Sequence, residues 1–574
     1  MRKSLQVWLP ILLICLATVA ASAQSFRVQC PTSTITHPVA ANNNSEPAYN
    51  GATGFTTNTQ GYVTPTSNIN GAIKCQQISG GDGYSTMADG TQTYMFSFGP
   101  LSGLADIAAG LPGTEFPNVD SHGVVGNGFN SVYPGALLRG DPATTDGATS
   151  GASPGALGAF TYNGAVGLNP DLDAIAAGTC TSPCLDGHVD PRQIIDVGVM
   201  NGNIPAPLIA FDEDDEFFLT LTNVGMIMRP DLFEQHTVHF HGYPNASSFY
   251  DGVPDASVAI NIGGSFTYYY MSPDAGTYFW HCHITPPEHL QMGMVGQLYV
   301  RPRQDRVPNG NSLYTALQQQ NSGVDPRTAC NPAADILCSA TNPPVNTGAT
   351  QGLDKLGNPQ KYVYNDGDGS TAYDVEYPLQ MHGFDPNFHF VGMTFNPEAF
   401  VDMKDKYFLL NGRSYPDTVG TTGGQKTLAA PGPQATVSTD GQMHYSQPLP
   451  AVINIPVGGK AALRLVNLSV SEYHTIATLG VPMKVAGFNA KLLRDQAGNN
   501  TEYYTNSITL GGGESADVIL DASDTTTFKA GQLYYLFTPQ LDHLSNDAEN
   551  FGGLMTEVHI CTSVSSSTFG NTCN

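Results

Sequence analysis

The stretch from His281 to Met294 constrains what this chain can fold into and bind more than any other. It reads His-Cys-His-Ile-Thr-Pro-Pro-Glu-His-Leu-Gln-Met-Gly-Met. It places a thiolate on Cys282, an imidazole on His289 and a thioether on Met294 close together along the chain. These are the soft ligands that select copper in a blue-copper site. The stretch therefore predicts a copper site that still lacks one imidazole.

An upstream segment supplies the missing imidazole. His236 opens the sequence His-Thr-Val-His-Phe-His-Gly, whose β-branched and aromatic residues are typical of a strand. His239 and His241 lie two residues apart in it, so both rings project from one face of the strand.

The same alternation acts on the triplet His281, Cys282 and His283. The cysteine points to one side and the two histidines point to the other. Two metal positions are therefore predicted, back to back across one short piece of backbone. The two segments hold six of the fifteen histidines in the chain, which makes a chance arrangement improbable.

With these motifs the sequence resembles the multicopper oxidases, the family of laccases and metal-ion oxidases, most closely its two-domain forms. The resemblance is specific over residues 190–302 and rests on domain pattern alone over 370–562. It implies a type 1 copper that accepts electrons, bound by His236, Cys282, His289 and axial Met294. It also implies a type 2 copper on His239 and a type 3 pair on His241, His281 and His283. Cys282, His281 and His283 would carry the electrons between the sites.

One departure from the family pattern lies in the loop between Cys282 and His289. It is two residues longer than the family spacing and contains Pro286-Pro287. No ligand is removed by this change. Met292 competes for the axial position, and the offset from His289 favours Met294.

The composition favours an all-β fold, since 62 glycines and 40 prolines accompany little helical periodicity in 574 residues. We predict two cupredoxin-like Greek-key β-sandwich domains with a long N-terminal extension and an insertion. The predicted segments are a signal peptide (1–23), an irregular extension (24–84), a copper domain (85–302) with an insertion (101–189), a linker (303–361), a second domain (362–562) and a tail (563–574).

The second domain is predicted from an internal repeat. His236-Thr-Val-His-Phe-His-Gly aligns with a segment that begins at His474 and reads His-Thr-Ile-Ala-Thr-Leu-Gly. In the same alignment Thr538 stands opposite Cys282, so this domain lacks the copper motifs. His474 and His543 occupy the places of type 1 histidines and are expected to be structural.

Several local features of the first domain are predicted from pattern alone. Strands are expected at 91–98, 193–200, 208–223, 258–262, 265–271, 276–280 and 295–300. The acidic run from Asp212 to Glu216 is expected to be a solvated strand end.

The formal charge of −26 disfavours nucleic acid and anionic membranes as partners, because both interactions need a basic face. Residues 1–23 have the basic start, apolar run and Ala-Ser-Ala end of a secretory signal, and no later apolar run is long enough to span a bilayer. We therefore expect an extracytoplasmic protein, in the periplasm, at the cell surface or secreted. Neighbouring cysteines predict four disulfides: Cys30–Cys75, Cys180–Cys184, Cys330–Cys338 and Cys561–Cys573.

The resulting hypothesis is an oxidase that takes single electrons from a phenolic or low-valent metal-ion reductant and passes them to oxygen. The oxygen-reducing copper cluster of this family takes eight histidines, and four are visible in the motifs. The rest would come from His382, His389, His444, His474, His543 or N-terminal histidines, or from another subunit of a homo-oligomer such as a trimer. Two alternatives stay open: a non-enzymatic type 1 electron-transfer or copper-binding protein, and a copper nitrite reductase-like enzyme.

Overall fold

The structure, a computed structural model, describes residues 28–50, most of 55–130, of 204–322 and of 349–419, nearly all of 451–574, and short strands between them. The predicted signal peptide, the strand at 193–200 and the pairings Cys180–Cys184 and Cys330–Cys338 lie outside these residues. The other two predicted disulfides, Cys30–Cys75 and Cys561–Cys573, are confirmed.

Two four-stranded sheets form the first sandwich. One has the strand order Ser265–Met271, Glu216–Gly225, Ile73–Thr86, Gln92–Pro100. The other has the order Ile209–Asp212, Val295–Arg301, Gly276–His281, His239–Phe240. Apolar side chains from both sheets share one core, which also contains Cys282, Met292 and Met294. The core therefore encloses the predicted thiolate ligand.

Two larger sheets form the second sandwich. The seven-stranded sheet has the order Tyr407–Leu410, Val375–Phe384, Lys460–Asn467, Ser515–Asp521, Met483–Phe488, Lys491–Leu492, with Tyr503–Thr505 also paired to Met483–Phe488. The five-stranded sheet has the order Ile453–Pro456, Met555–Cys561, Leu533–Phe537, His474–Thr478, Ser507–Leu510. A second core lies between them. The all-β class with two cupredoxin-like sandwiches is confirmed.

The remaining elements are short. Two-stranded ribbons pair Phe55–Thr57 with Val63–Pro65, Leu168–Pro170 with Leu185–Val189, Lys361–Tyr362 with Ala372–Tyr373, and Ala435–Val437 with Met443–Tyr445. The α-helices are Pro286–Met292, Leu313–Ser322 and Pro386–Met393. The 3-10 helices are Ala40–Asn44, Ser248–Tyr250, Arg303–Arg306, Phe400–Asp402 and Asp417–Val419. In the described part of the chain, no helix is long and apolar enough to cross a bilayer.

The N-terminal region is less irregular than its composition indicates. Strand Ile73–Thr86 pairs with two neighbours inside the first sheet. Its buried side chains include the polar residues Gln76, Gln77 and Asp82. Polar residues at buried positions remove the alternation by which a strand is recognised, so the prediction of an irregular extension over 24–84 was wrong here.

The acidic run Asp212–Glu216 is not a solvated strand end. Four of its five side chains are between 0% and 6% exposed. The guanidinium of Arg303 donates to Asp214 at 2.6 and 2.7 Å, and Arg306 donates to the carbonyl oxygen of Glu213 at 2.6 Å. These cations follow the run by about ninety residues, so no local pattern reveals them.

The strand predicted at 258–262 is also absent. Ile260 forms a single bridge with His236 instead. This bridge holds the backbone of the candidate ligand His236. The N–H of His236 donates to the carbonyl oxygen of Ile260 at 3.1 Å, and the N–H of Ile260 donates to the carbonyl oxygen of His236 at 3.0 Å.

Candidate metal centre

The first group of candidate ligands consists of His236, Cys282 and His289. One donor atom of each lies within 4.8 Å of the others, and all three residues are fully buried. The Nδ1 atoms of His289 and His236 face the Cys282 sulfur at 3.3 and 3.9 Å. The outer nitrogen atoms of both rings have no hydrogen-bond partner within the described structure. The group therefore converges on one point through two Nδ1 atoms and one sulfur.

Backbone geometry brings these ligands together. Strand Gly276–His281 ends beside Cys282, whose N–H donates to the carbonyl oxygen of Met294 at 3.1 Å. Between Cys282 and Met294 lies the helix Pro286–Met292, which we call the ligand helix because it carries His289. Proline is favoured in the first helical turn, and Gly293, with a φ of 117°, ends the helix. The longer loop with its two prolines is thus a helical turn.

Four further residues are neighbours of this group. Met294, the predicted axial ligand, is fully buried in the same core as Cys282, and so is its competitor Met292. The N–H of Thr237 donates to the Cys282 sulfur at 3.5 Å, which stabilises negative charge on a thiolate. The carboxylate of Glu234 lies 3.7 Å from the outer nitrogen of His289.

A glycine of the N-terminal region makes room for His236. A Cβ atom at Gly80, within strand Ile73–Thr86, would lie 2.8 Å from the imidazole Cδ2 atom. The region that we predicted to be an extension therefore forms one wall of the first ligand group. Sequence reasoning missed this contact, although a glycine inside a strand is a known signal of close approach.

The second group consists of His239, His241 and His281, whose ligand atoms also lie within 4.8 Å of one another. The Nε2 atoms of His241 and His281 are 3.0 Å apart. The Nδ1 atoms of His239 and His281 each face a backbone carbonyl, of Asp251 and Cys282, at 2.7 Å. Because a carbonyl oxygen accepts a hydrogen bond from a protonated Nδ1, the free lone pairs of these two rings are on Nε2 and point into the group.

His283 lies beside this group without joining it. Its ring centroid is 5.0 Å from that of His239 and 5.4 Å from that of His281. Its N–H donates to Thr237 Oγ1 at 3.0 Å. We call the four residues His239, His241, His281 and His283 the histidine cluster. Cys282 faces the opposite side, as the alternation rule predicted.

Burial keeps most of these imidazoles neutral. It lowers the pKa of His236 and of His281 well below the usual value for histidine, and it lowers the pKa of His241 to about 4. The neutral ring is the form that binds a metal ion, so His236 and the second group are prepared for a cation at neutral pH. His289 differs, because the neighbouring Cys282 and Glu234 outweigh the lowering effect of burial and raise its pKa to about 10.

The second sandwich closes one side of the histidine cluster. Gly513 has a φ of +81°, and a Cβ atom there would lie 2.8 Å from the His241 ring. Its N–H donates to the carbonyl oxygen of Asn467 at 2.9 Å, which fixes the loop. The Gly-Gly-Gly run at 511–513 was available in the sequence as a signal for close approach, and we did not use it.

The other predicted histidines of the second domain lie elsewhere. His382 and His389 contact the backbone of the ligand helix, while His474 and His543 contact each other. The side chain of His444 is outside the described residues. Within the described part of the chain, the histidine cluster therefore keeps only the four histidines that the motifs supply.

Comparisons with known proteins agree with this site. A sequence profile described as multicopper oxidase matches residues 186–305, which include both ligand groups. The chain is 31% identical over 149 residues to a multicopper oxidase of Talaromyces pinophilus, and 33% identical over 123 residues to a laccase of Emericella nidulans.

These matches cover part of each protein. They span 26% and 20% of this chain and 23% and 18% of the two fungal proteins, so the chain spans about a quarter or less of these curated relatives. Among solved structures, a blue copper oxidase from Nitrosomonas europaea is 21% identical, with a TM-score of 0.38 over 63% of this chain and 78% of that one.

Proposed function

We propose that the chain is a copper-dependent oxidase that takes single electrons from a reductant at a type 1 copper and passes them to oxygen at copper held by the histidine cluster. The observation that carries the proposal is that Cys282 belongs to one converging donor group and that His281, its neighbour in the chain, belongs to the other. One group contains sulfur and two Nδ1 atoms, and the other contains Nε2 atoms alone. A mixed sulfur and nitrogen set suits an electron-transfer copper, whereas an imidazole set suits a copper that binds oxygen.

The roles follow from the resemblance to the multicopper oxidases. His236, Cys282 and His289, with Met294 as axial ligand, would hold the type 1 copper. His239 would hold a type 2 copper, and His241, His281 and His283 the type 3 pair. Copper supplies one-electron redox chemistry when it is bound, while the protein fixes ligand orientation and excludes water.

The path between the groups is short. His281 and His283 flank Cys282 directly in the chain, and the Nδ1–H of His281 also donates to the Cys282 carbonyl at 2.7 Å. Electrons that leave the Cys282 sulfur would reach the histidine cluster through the covalent bonds of Cys282 and its backbone links to His281 and His283, or across the hydrogen bond from His281 to the Cys282 carbonyl.

The reductant would be a phenol or a low-valent metal ion. Glu234 supports both, because its carboxylate lies 3.7 Å from His289 and its side chain is 27% exposed. A carboxylate at this place can accept a phenolic proton or attract a cation. The net charge of −26 adds a field that favours cations.

Further cluster ligands would come from another copy of the chain, because the described residues place no second set of histidines there. This same observation favours a second candidate, a type 1 electron-transfer or copper-binding protein without oxidase activity. We also propose an extracytoplasmic location, since the two disulfides require an oxidising compartment.

Oxygen uptake tests the proposal. Copper-loaded protein is given a phenol, a low-valent metal ion or no reductant, with oxygen or nitrite as acceptor. The Cys282→Ser variant is the control, because it removes the entry point for electrons. Reductant-dependent oxygen uptake that this variant abolishes supports the oxidase. A blue protein that consumes no oxygen supports the electron-transfer candidate instead.

A further inference from the structure

A histidine of the second sandwich lies between two parts of the first sandwich that shape the type 1 pocket. His389 is 1% exposed and belongs to the helix Pro386–Met393. Its Nε2 atom is 3.0 Å from the carbonyl oxygen of Gln291 on the ligand helix. Its Nδ1 atom is 2.5 Å from the carbonyl oxygen of Tyr94. The ring therefore spans the gap between two separate backbone segments.

Both segments lead directly to His289. Gln291 follows it by two residues on the ligand helix. Tyr94 belongs to strand Gln92–Pro100, where the Phe96 ring packs edge-on against the His289 ring at a centroid distance of 5.8 Å. A shift of either segment would move the imidazole relative to the sulfur of Cys282.

Other groups of the second sandwich support the same helix. The Oδ1 atom of Asp405 accepts a hydrogen bond from the Gln291 side chain at 3.3 Å. The ring of His389 is held in turn by Phe384, at a centroid distance of 4.8 Å. The ligand helix therefore rests on fixed polar groups rather than on solvent.

We propose that His389 is a positioning residue for the type 1 copper, acting through Gln291 and Tyr94 to hold His289 at its distance from Cys282. The inference rests on the proposed type 1 site. Carbonyl oxygens only accept hydrogen bonds, so the neutral ring donates to one of the two carbonyls and the imidazolium donates to both. Burial lowers the pKa of His389 to about 4, while the two carbonyl oxygens favour the protonated ring that donates to both.

Two variants and a control test this role in the copper-loaded full chain. His389→Phe keeps a ring and removes both nitrogen atoms, while His389→Asn keeps a shorter donor that cannot span the gap. Phe390→Ala is the control, because Phe390 is the next residue on the same helix and is 60% exposed. The readouts are the reduction potential, the blue absorption band and the rate at which a chelator removes the type 1 copper.

We expect His389→Phe to shift the potential and the band and to weaken copper binding about tenfold, the lower end of the range for partners behind metal ligands. His389→Asn should show a smaller shift, and Phe390→Ala none. All three readouts unchanged in His389→Phe, or in His389→Asn if the first variant does not fold, would overturn the inference. Wild-type protein that binds copper without blue absorption would instead overturn the proposed type 1 site itself.

Discussion

The Nδ1 atom of His474 lies 3.3 Å from the Nδ1 atom of His543, at the places in the second sandwich that correspond to His236 and His289 in the first. A chain of hydrogen bonds runs through this pair. The other nitrogen of His474 contacts Ser469 Oγ at 2.5 Å, and the other nitrogen of His543 contacts a Glu472 carboxylate oxygen at 2.7 Å. Every ring nitrogen has a partner, which supports the prediction that these histidines are structural.

The substitution His474→Phe should therefore destabilise the protein without changing its copper content. It leaves the hydroxyl of Ser469 and the Nδ1 of His543 without their partner, at a cost of about 1–3 kcal/mol in the free energy of unfolding. Denaturant unfolding and copper analysis measure the two effects. His236→Phe is the matched control, and we expect it to lose the type 1 copper. Copper loss from His474→Phe would contradict the structural role.

The substitution Cys282→Ser should abolish the blue absorption and leave copper on the histidine cluster. The cluster donors are Nε2 atoms on the opposite side of the backbone, so they do not need the thiolate. Visible absorption and electron paramagnetic resonance separate the two kinds of copper. A variant that keeps its blue band would show that Cys282 is not the sulfur ligand.

The substitution Gly513→Ala should selectively disturb the histidine cluster. The new Cβ atom would lie 2.8 Å from the His241 ring, so the ring has to move. Gly531→Ala is the control, because Gly531 has a similar φ of +87° and nothing within 4 Å of the added atom. We expect Gly513→Ala to lose cluster copper and keep the blue band. Equal behaviour of the two variants would show that backbone strain alone causes the effect.

The contribution of Asp305 to stability should decrease as pH rises from about 4 to about 7. Burial raises the pKa of this carboxyl from 3.8 to about 7, although Lys361 lies 3.8 Å away. The folded chain therefore binds this proton more tightly than the unfolded chain does. The stabilisation from Asp305 is complete below pH 3.8 and is lost as pH rises through its folded pKa.

The substitution Asp305→Asn tests this assignment. Each pKa unit corresponds to about 1.4 kcal/mol, so the carboxyl accounts for at most about 4 kcal/mol of the change. Unfolding free energies measured at several pH values should rise more steeply, or fall less steeply, with pH in the variant than in the wild type. The same slope in both proteins would contradict this assignment.

The sequence predicted both ligand groups because alternation along a strand is a local rule. His281, Cys282 and His283 needed no information beyond their order to be placed on opposite sides. The resemblance to a known family then named the roles, and the disulfides Cys30–Cys75 and Cys561–Cys573 followed from neighbouring cysteines.

Features that depend on distant residues were not predictable in this way. Asp212–Glu216 is buried because Arg303 and Arg306 approach from about ninety residues away. Strand Ile73–Thr86 was hidden because polar side chains occupy its buried positions. The contact of His389 with the ligand helix joins residues 98 apart, which no spacing rule connects.

Copper content per chain, measured on protein purified with copper supplied, tests the central claim most directly. The oxidase account predicts more than one copper ion per chain, one of them blue and lost in Cys282→Ser. A single blue copper ion per chain, with the histidine cluster free of metal, would contradict the oxidase and leave Cys282 as the centre of an electron-transfer protein.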